Sequence, residues 1–207
     1  MIDVKKGHPT IEIKYGKLVD PACIAWSKER YPDWVPPSID DVKKKVLVFR
    51  EAWAMHEDAV LQGIADVSGL QYLRSHHDVY IVSGTPRDMS DPIIIKSRYE
   101  PDEFVYTLVH ELLHRILVLN KVSNKYSTET QTVRDHIHVF AILTYVYLDI
   151  LHAQERFAIS RKQAIVGGEY ERTWQIVEQE GYMNLIERLK NSLQSREYRN
   201  YAVESSS

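Results

Sequence analysis

Apolar positions divide the chain into stretches of different period. From Ser38 or Asp40 to about Val67, apolar residues recur at Val42, Val46, Phe49, Trp53, Val60 and Ile64, with Gly63 as the only Gly or Pro. That spacing predicts a long amphipathic helix. Upstream, Pro9, Pro21, Pro32, Pro36 and Pro37 interrupt short apolar pieces such as TIEIKYGKLV, so residues 1–38 read as an irregular extension with one short strand or hairpin and a loop. Downstream, VYIV and PIIIK are β-branched runs separated by Gly, Thr, Pro, Asp and Ser, which predicts two paired strands.

Helical spacing returns after Pro101. Phe104, Val105, Leu108, Leu112, Leu113, Ile116 and Leu117 predict a helix from about Asp102 to Leu119. Lys121 to Ser127 is a polar connection, and Thr128-Glu129-Thr130-Gln131 has the form of a capping box with Thr128 at the cap. A second long helix then runs to about Glu155 on an apolar stripe of Val133, Ile137, Phe140, Thr144, Tyr147, Leu148 and Leu151. Ser160–Val166, Tyr170–Glu180 and Tyr182–Ser195 read as shorter helices punctuated by Gly167-Gly168 and Gly181, and the closing VESSS as a frayed tail. The expectation is one mainly helical α+β domain over residues 1–207, with a small sheet ahead of the helix at 102–119. Its parts are the extension 1–38, a core 39–155 and C-terminal helices with a tail over 156–207.

Composition narrows the function. The chain has 207 residues, 26 Lys plus Arg against 29 Asp plus Glu, and a formal charge of -3, so no sustained positive field is available for nucleic acid. No window approaches the ~18 apolar residues of a membrane span, and the start lacks a secretory apolar stretch, which points to a cytoplasmic protein with no membrane partner. The single cysteine, Cys23, excludes an internal disulfide and a multi-cysteine zinc site. Any metal must be held by carboxylates and the nine histidines.

One segment stands out: His110-Glu111-Leu112-Leu113-His114, an HExxH in the middle of a predicted apolar helix. Residues four apart lie one turn above each other on one face, so both imidazoles can reach one ion, and Glu111 sits about a quarter-turn away, where it can act on water without being a ligand. Those are the roles needed for metal-assisted hydrolysis. The competing reading, two satisfied core histidines beside a glutamate, must still find partners for all three buried polar groups.

A catalytic zinc normally takes a third protein ligand. His114 lies about 8 Å from its helix end at 1.5 Å per residue, so in an antiparallel hairpin the matching residue falls about five to eight positions into the next helix. Counting from Thr128 gives 133–136, which contains His136; His138 lies just past it. At 100° per residue His136 projects between Leu143 and Tyr147 on the flank of the apolar stripe, whereas His138 projects among Arg134, Tyr145 and Asp149, toward solvent or a second layer. His136 is the favoured ligand, with His138 the alternative and Glu129 and Asp149 outsiders.

Over roughly residues 79–155 the order VYIV, PIIIK, TLVHELLHRIL and a following ligand helix resembles the zincin metallopeptidases. The resemblance implies a zinc-dependent peptidase fed by a peptide or protein substrate, with Glu111 as general base and the PIIIK strand as the sheet edge along which an extended substrate pairs. Metzincins are set aside because Leu117 and Asn120 stand where their Gly and third His would be. The piece His136-Ile137-His138-Val139-Phe140-Ala141 is similar to the E-A-N-x-F-A stretch of the compact ImmA/IrrE-type peptidases, with His136 in the place of their ligand Glu; the layout is gluzincin-like.

For an oxyanion partner Tyr106, Tyr126, Tyr145 and Tyr147 are candidates, and Asp135 or Asp149 could orient ligand imidazoles. His76-His77 read as exposed and Lys43-Lys44-Lys45 is too short for a nucleic-acid footprint. Two further classes compete with the peptidase: a non-catalytic or regulatory metal-binding interaction protein on a zincin scaffold, and a helical interaction module without metal. The intact Glu111 argues against the first, because a scaffold needs only the ligands.

Overall fold

The computed structural model describes residues 7–122, 125–164 and 168–204. The chain is mainly helical with a small four-stranded sheet, and divides into two compact units, each discontinuous in sequence. The first comprises residues up to Asp58 and Arg74–Arg115, the second Ala59–Leu73 and Ile116 onward. Among the described residues no helix is long and apolar enough to cross a membrane.

In the first unit, strand β1 (Thr10–Tyr15) leads into helix α1 (Asp20–Arg30), then α2 (Ile39–Ala54). Strands β2 (His76–Val82), β3 (Met89–Ser90) and β4 (Ile93–Lys96) follow, and helix α4 (Pro101–Leu119) begins here. The sheet order is β1-β2-β4-β3. β1 pairs parallel with β2, Ile13 opposite Val79, and β2 pairs parallel with β4, Ile81 opposite Ile95; the short β3 is antiparallel to β4. Among its described residues the extension therefore holds one strand and no hairpin. β1 finds its partner some sixty residues later, through the crossover that parallel pairing requires.

Helix α1 was hidden behind its prolines. Pro21 stands in the first turn, where a missing N–H costs nothing and the fixed φ favours the helix. Asp20, 1% exposed, fastens this end: its carboxylate accepts from the Ser83 backbone (2.7 Å), the Ser83 hydroxyl (2.8 Å) and Tyr15 (2.8 Å). Burial, then the hydrogen bond to Asp20, pushes the Tyr15 phenol up to about 12. The buried apolar residues of this unit include Ile13, Val79, Ile81, Ile93 and Ile95 on the strands and Val42, Val46, Phe49, Trp53, Phe104 and Leu108 on α2 and α4. Phe49 and Phe104 stack with centroids 4.1 Å apart and join α2 to α4.

The predicted single helix over 40–67 is two helices, α2 and α3 (Glu57–Ser68), parted at Met55–His56. Ser38 caps α2, accepting from the Asp41 N–H (3.1 Å), and Glu57 and Asp58 open α3 with acidic charge at its N-terminus. Apolar spacing runs across the junction without a Gly or Pro to mark it, so periodicity alone could not reveal the break.

The second unit contains α3 from Ala59, the end of α4, α5 (Gln131–Tyr145), a π-helical turn (Val146–Ile150), α6 (Gln154–Ala164), α7 (Gly168–Glu180) and α8 (Tyr182–Glu204). The predicted helix to Glu155 thus ends ten residues early in regular form. The wide turn is followed by His152 at φ +49° before α6 starts. Phe140 stacks on Trp174 at 4.2 Å, Phe157 meets both Trp174 and Tyr147, and the Arg161 guanidinium covers the Trp174 ring at 4.4 Å. Gly181, at φ +79°, makes the turn between α7 and α8 that an L side chain would strain. Ile165 and Val166 of the helix expected over Ser160–Val166, with Gly167, lie outside the described residues, as do Ser123 and Asn124 of the polar connection and Ser205–Ser207 of the tail.

Candidate metal centre

Helix α4 is built to hold polar groups in an apolar setting. Pro101 opens it, and the Glu103 carboxylate accepts from the Glu100 N–H (2.9 Å) at its N-terminus. Phe104, Val105, Leu108, Leu112, Leu113 and Ile116 are buried along its length. On this helix His110 and Glu111 are each 9% exposed and His114 is half-buried. The Nε2 atoms of His110 and His114 face each other at 3.1 Å. Two imidazole nitrogens that close either share a proton or turn their lone pairs on a common cation.

His136 lies on α5 and is 8% exposed. Its Nδ1 is 2.7 Å from the Thr132 carbonyl, an acceptor only, so Nδ1 carries the proton and Nε2 keeps its lone pair. Its ring packs on Tyr170 (4.6 Å) and Phe140 (5.4 Å). Burial lowers the pKa of His136 and favours the neutral form that a metal ligand must adopt.

One nitrogen from each of His110, His114 and His136 lies within 4.8 Å of the others. Tetrahedral zinc with Zn–N near 2.05 Å sets ligand nitrogens about 3.3 Å apart. The His110–His114 pair is already close to that spacing, and the donor set, three neutral-capable imidazoles, suits zinc. The residues present therefore fit the group.

Glu111 is pushed up to about 8, by burial first and then by the Asp88 charge, with the Lys96 ammonium opposing. Those two neighbours were not anticipated from the sequence. Lys96, 7% exposed, pairs with Asp88 (Nζ to Oδ2, 3.2 Å), and Asp88 also accepts from the Lys96 N–H (3.1 Å) and the Tyr99 hydroxyl (2.6 Å). The available signal was a lysine closing an otherwise apolar strand.

The other candidates fall elsewhere. His138 is half-buried; burial, then the Arg188 charge, pushes it down to about 4, and it does not belong to the triad. Glu129 pairs with Arg172 (2.6 Å) and Asp149 accepts from Tyr182 (2.9 Å). Asp135 accepts from Gln131 (2.6 Å) on the helix surface. Tyr126 donates to Glu180 (2.7 Å), Tyr147 is buried against Phe157, Tyr145 is half-buried, and Tyr106 is buried on α4 one turn before His110. The cap of α5 is Thr130, which accepts from Val133, not Thr128. Counted from Thr130, the window of five to eight positions becomes 135–138 and still includes His136.

Two further expectations need correction. His76 is exposed, but His77 is 3% exposed, because adjacent strand residues point to opposite faces. The PIIIK strand is not an edge: β4 lies between β2 and β3, and all four of its residues are buried. An unbroken apolar run is what an interior strand shows. Among the described residues one other group has metal-like spacing, Glu12, His76 and Asp78, but Lys14 already supplies its cation, at 2.9 Å from Glu12 and 2.6 Å from Asp78.

Compared with known proteins, the chain matches no family model, no curated protein and no solved structure. The class that fold and site define is a mainly helical α+β protein with a three-histidine cluster.

Proposed function

We propose that this chain is a zinc-dependent peptidase of zincin-like layout, with His110, His114 and His136 as ligands and Glu111 as general base. The observation that carries the reading is the convergence of three imidazole nitrogens within 4.8 Å, next to a carboxylate that is buried on the same helix. Bound zinc would supply Lewis acidity toward a peptide carbonyl. Glu111 takes a proton from the attacking water and returns it to the leaving amine. The Thr132 carbonyl holds the His136 tautomer with the proton on Nδ1, so that the Nε2 lone pair would be free to hold the ion. Three neutral imidazoles would leave the full charge of a bound dication undiminished. Work in the cytoplasm is consistent with the single buried thiol of Cys23.

The test combines metal analysis with one variant. Purified protein supplemented with zinc should hold about one equivalent, and His110→Ala should not. Glu111→Gln should keep the metal and lose peptide hydrolysis. Full activity in Glu111→Gln would refute the base; binding of zinc with no hydrolysis by the wild type would favour the non-catalytic reading.

A further inference from the structure

The sheet edge beside the HELLH helix is closed by the protein's own groups. The Ser97 N–H donates to the Val82 carbonyl (2.8 Å), so the odd-numbered amides of β4 face β2 and those of Ile94 and Lys96 face the other way. Ile94 is paired with Met89 of β3, and the Lys96 N–H is taken by the Asp88 carboxylate at 3.1 Å. With Met89 turned inward, Ser90 faces outward, and its carbonyl accepts from Arg115 Nη1 at 3.1 Å. Arg115 also pairs with the Asp91 carboxylate. It directly follows His114, so the edge it occupies is the one tied to the candidate centre. The far edge is treated alike: the Ile11 N–H meets Glu57 at 3.4 Å and the Ile13 carbonyl accepts from Arg50 at 2.7 Å.

Strand addition needs a row of alternating free N–H and C=O groups over several residues. A two-residue β3 with one carbonyl already bonded leaves isolated groups instead. Substrate affinity must then come from the metal and from side chains at the scissile bond, which favours a substrate with little chain on either side. We infer that this peptidase acts on short peptides and chain ends, and that it does not lay an extended internal segment along its sheet. The inference rests on the peptidase reading above.

The experiment uses zinc-loaded wild-type protein and pooled randomised peptides of two, four and eight residues, with ends free or blocked by acetyl and amide groups. Cleaved bonds are mapped and timed by mass spectrometry. The expected result is cutting confined to within about two bonds of an end, with interior bonds of blocked octapeptides cut at least about tenfold more slowly than bonds of the shorter pools. Interior cutting of blocked octapeptides as fast as in the shorter pools would overturn this inference and leave the peptidase reading standing. No cutting in any pool, with zinc bound stoichiometrically, would overturn both.

Discussion

His77 offers a test that depends on the fold alone. It sits on β2 opposite Ile11, on the face that also carries Val79 and Ile81, and is 3% exposed, with no hydrogen-bond partner for the buried Nδ1. Burial pushes its pKa down to about 4, and the Arg115 and Arg74 charges add to the effect against the opposing Asp91. In the unfolded chain the imidazole titrates near 6.5. Between those values the unfolded state binds the extra proton, so stability falls as pH is lowered through this window and is unaffected by His77 above it. A difference of about 2.5 units corresponds to about 3 kcal/mol in full, of which about 2 kcal/mol is reached by pH 5. His77→Phe keeps a planar ring and removes the proton. Urea unfolding of both proteins at pH 7.5 and pH 5, with chelator present throughout, should show the wild type losing about 2 kcal/mol more than the variant. Parallel losses, within about 0.5 kcal/mol, would mean that the imidazole is not desolvated in the native state and that the strand register here is wrong.

Three other outcomes can be checked on the same material. Phe104→Ala removes a fully buried ring stacked on Phe49 and should cost about 3–5 kcal/mol by urea unfolding, with circular dichroism reporting any loss of helix. Lys96→Met leaves the Asp88 carboxylate inside without its cation and should cost about 3–5 kcal/mol, with the double variant Lys96→Met, Asp88→Asn regaining a measurable part of it in a double-mutant cycle. Zinc at about a hundredfold excess over its Kd should add about 2.7 kcal/mol, a rise in Tm of roughly 5–10 °C for a chain of this size, reversed by chelator and largely absent in His136→Ala.

What could be read from the chain was whatever repeats with a clear period or sits at a fixed spacing. The α4 helix was legible because seven apolar residues mark its buried stripe. His136 was separated from His138 by angle alone, because the axial window counted from Thr130 holds both. The features that were missed are decided by competition between local groups. Pro21 reads as a breaker unless it falls in the first turn of a helix. Thr128 and Thr130 are equally good caps by type, and only the bond from Val133 to Thr130 separates them. The break at Met55–His56 leaves the apolar spacing intact, so it carries no signal. For β4 the signal was present: Ile93, Ile94 and Ile95 in succession describe a strand covered on both faces, and family resemblance suggested an edge where composition indicated the interior.

The consecutive residues His114 and Arg115 illustrate how one helix turn serves two purposes. They project about 100° apart, so one enters the imidazole cluster while the other reaches the Ser90–Asp91 turn of the β3–β4 pair. Arg115 holds the turn through one nitrogen, Nη1, which donates to the Ser90 carbonyl and pairs with the Asp91 carboxylate. That side chain thereby occupies the Ser90 carbonyl that an incoming strand would use. Closure of the sheet edge is thus shared by β3, the Asp88 carboxylate and Arg115, the residue that follows His114 on α4.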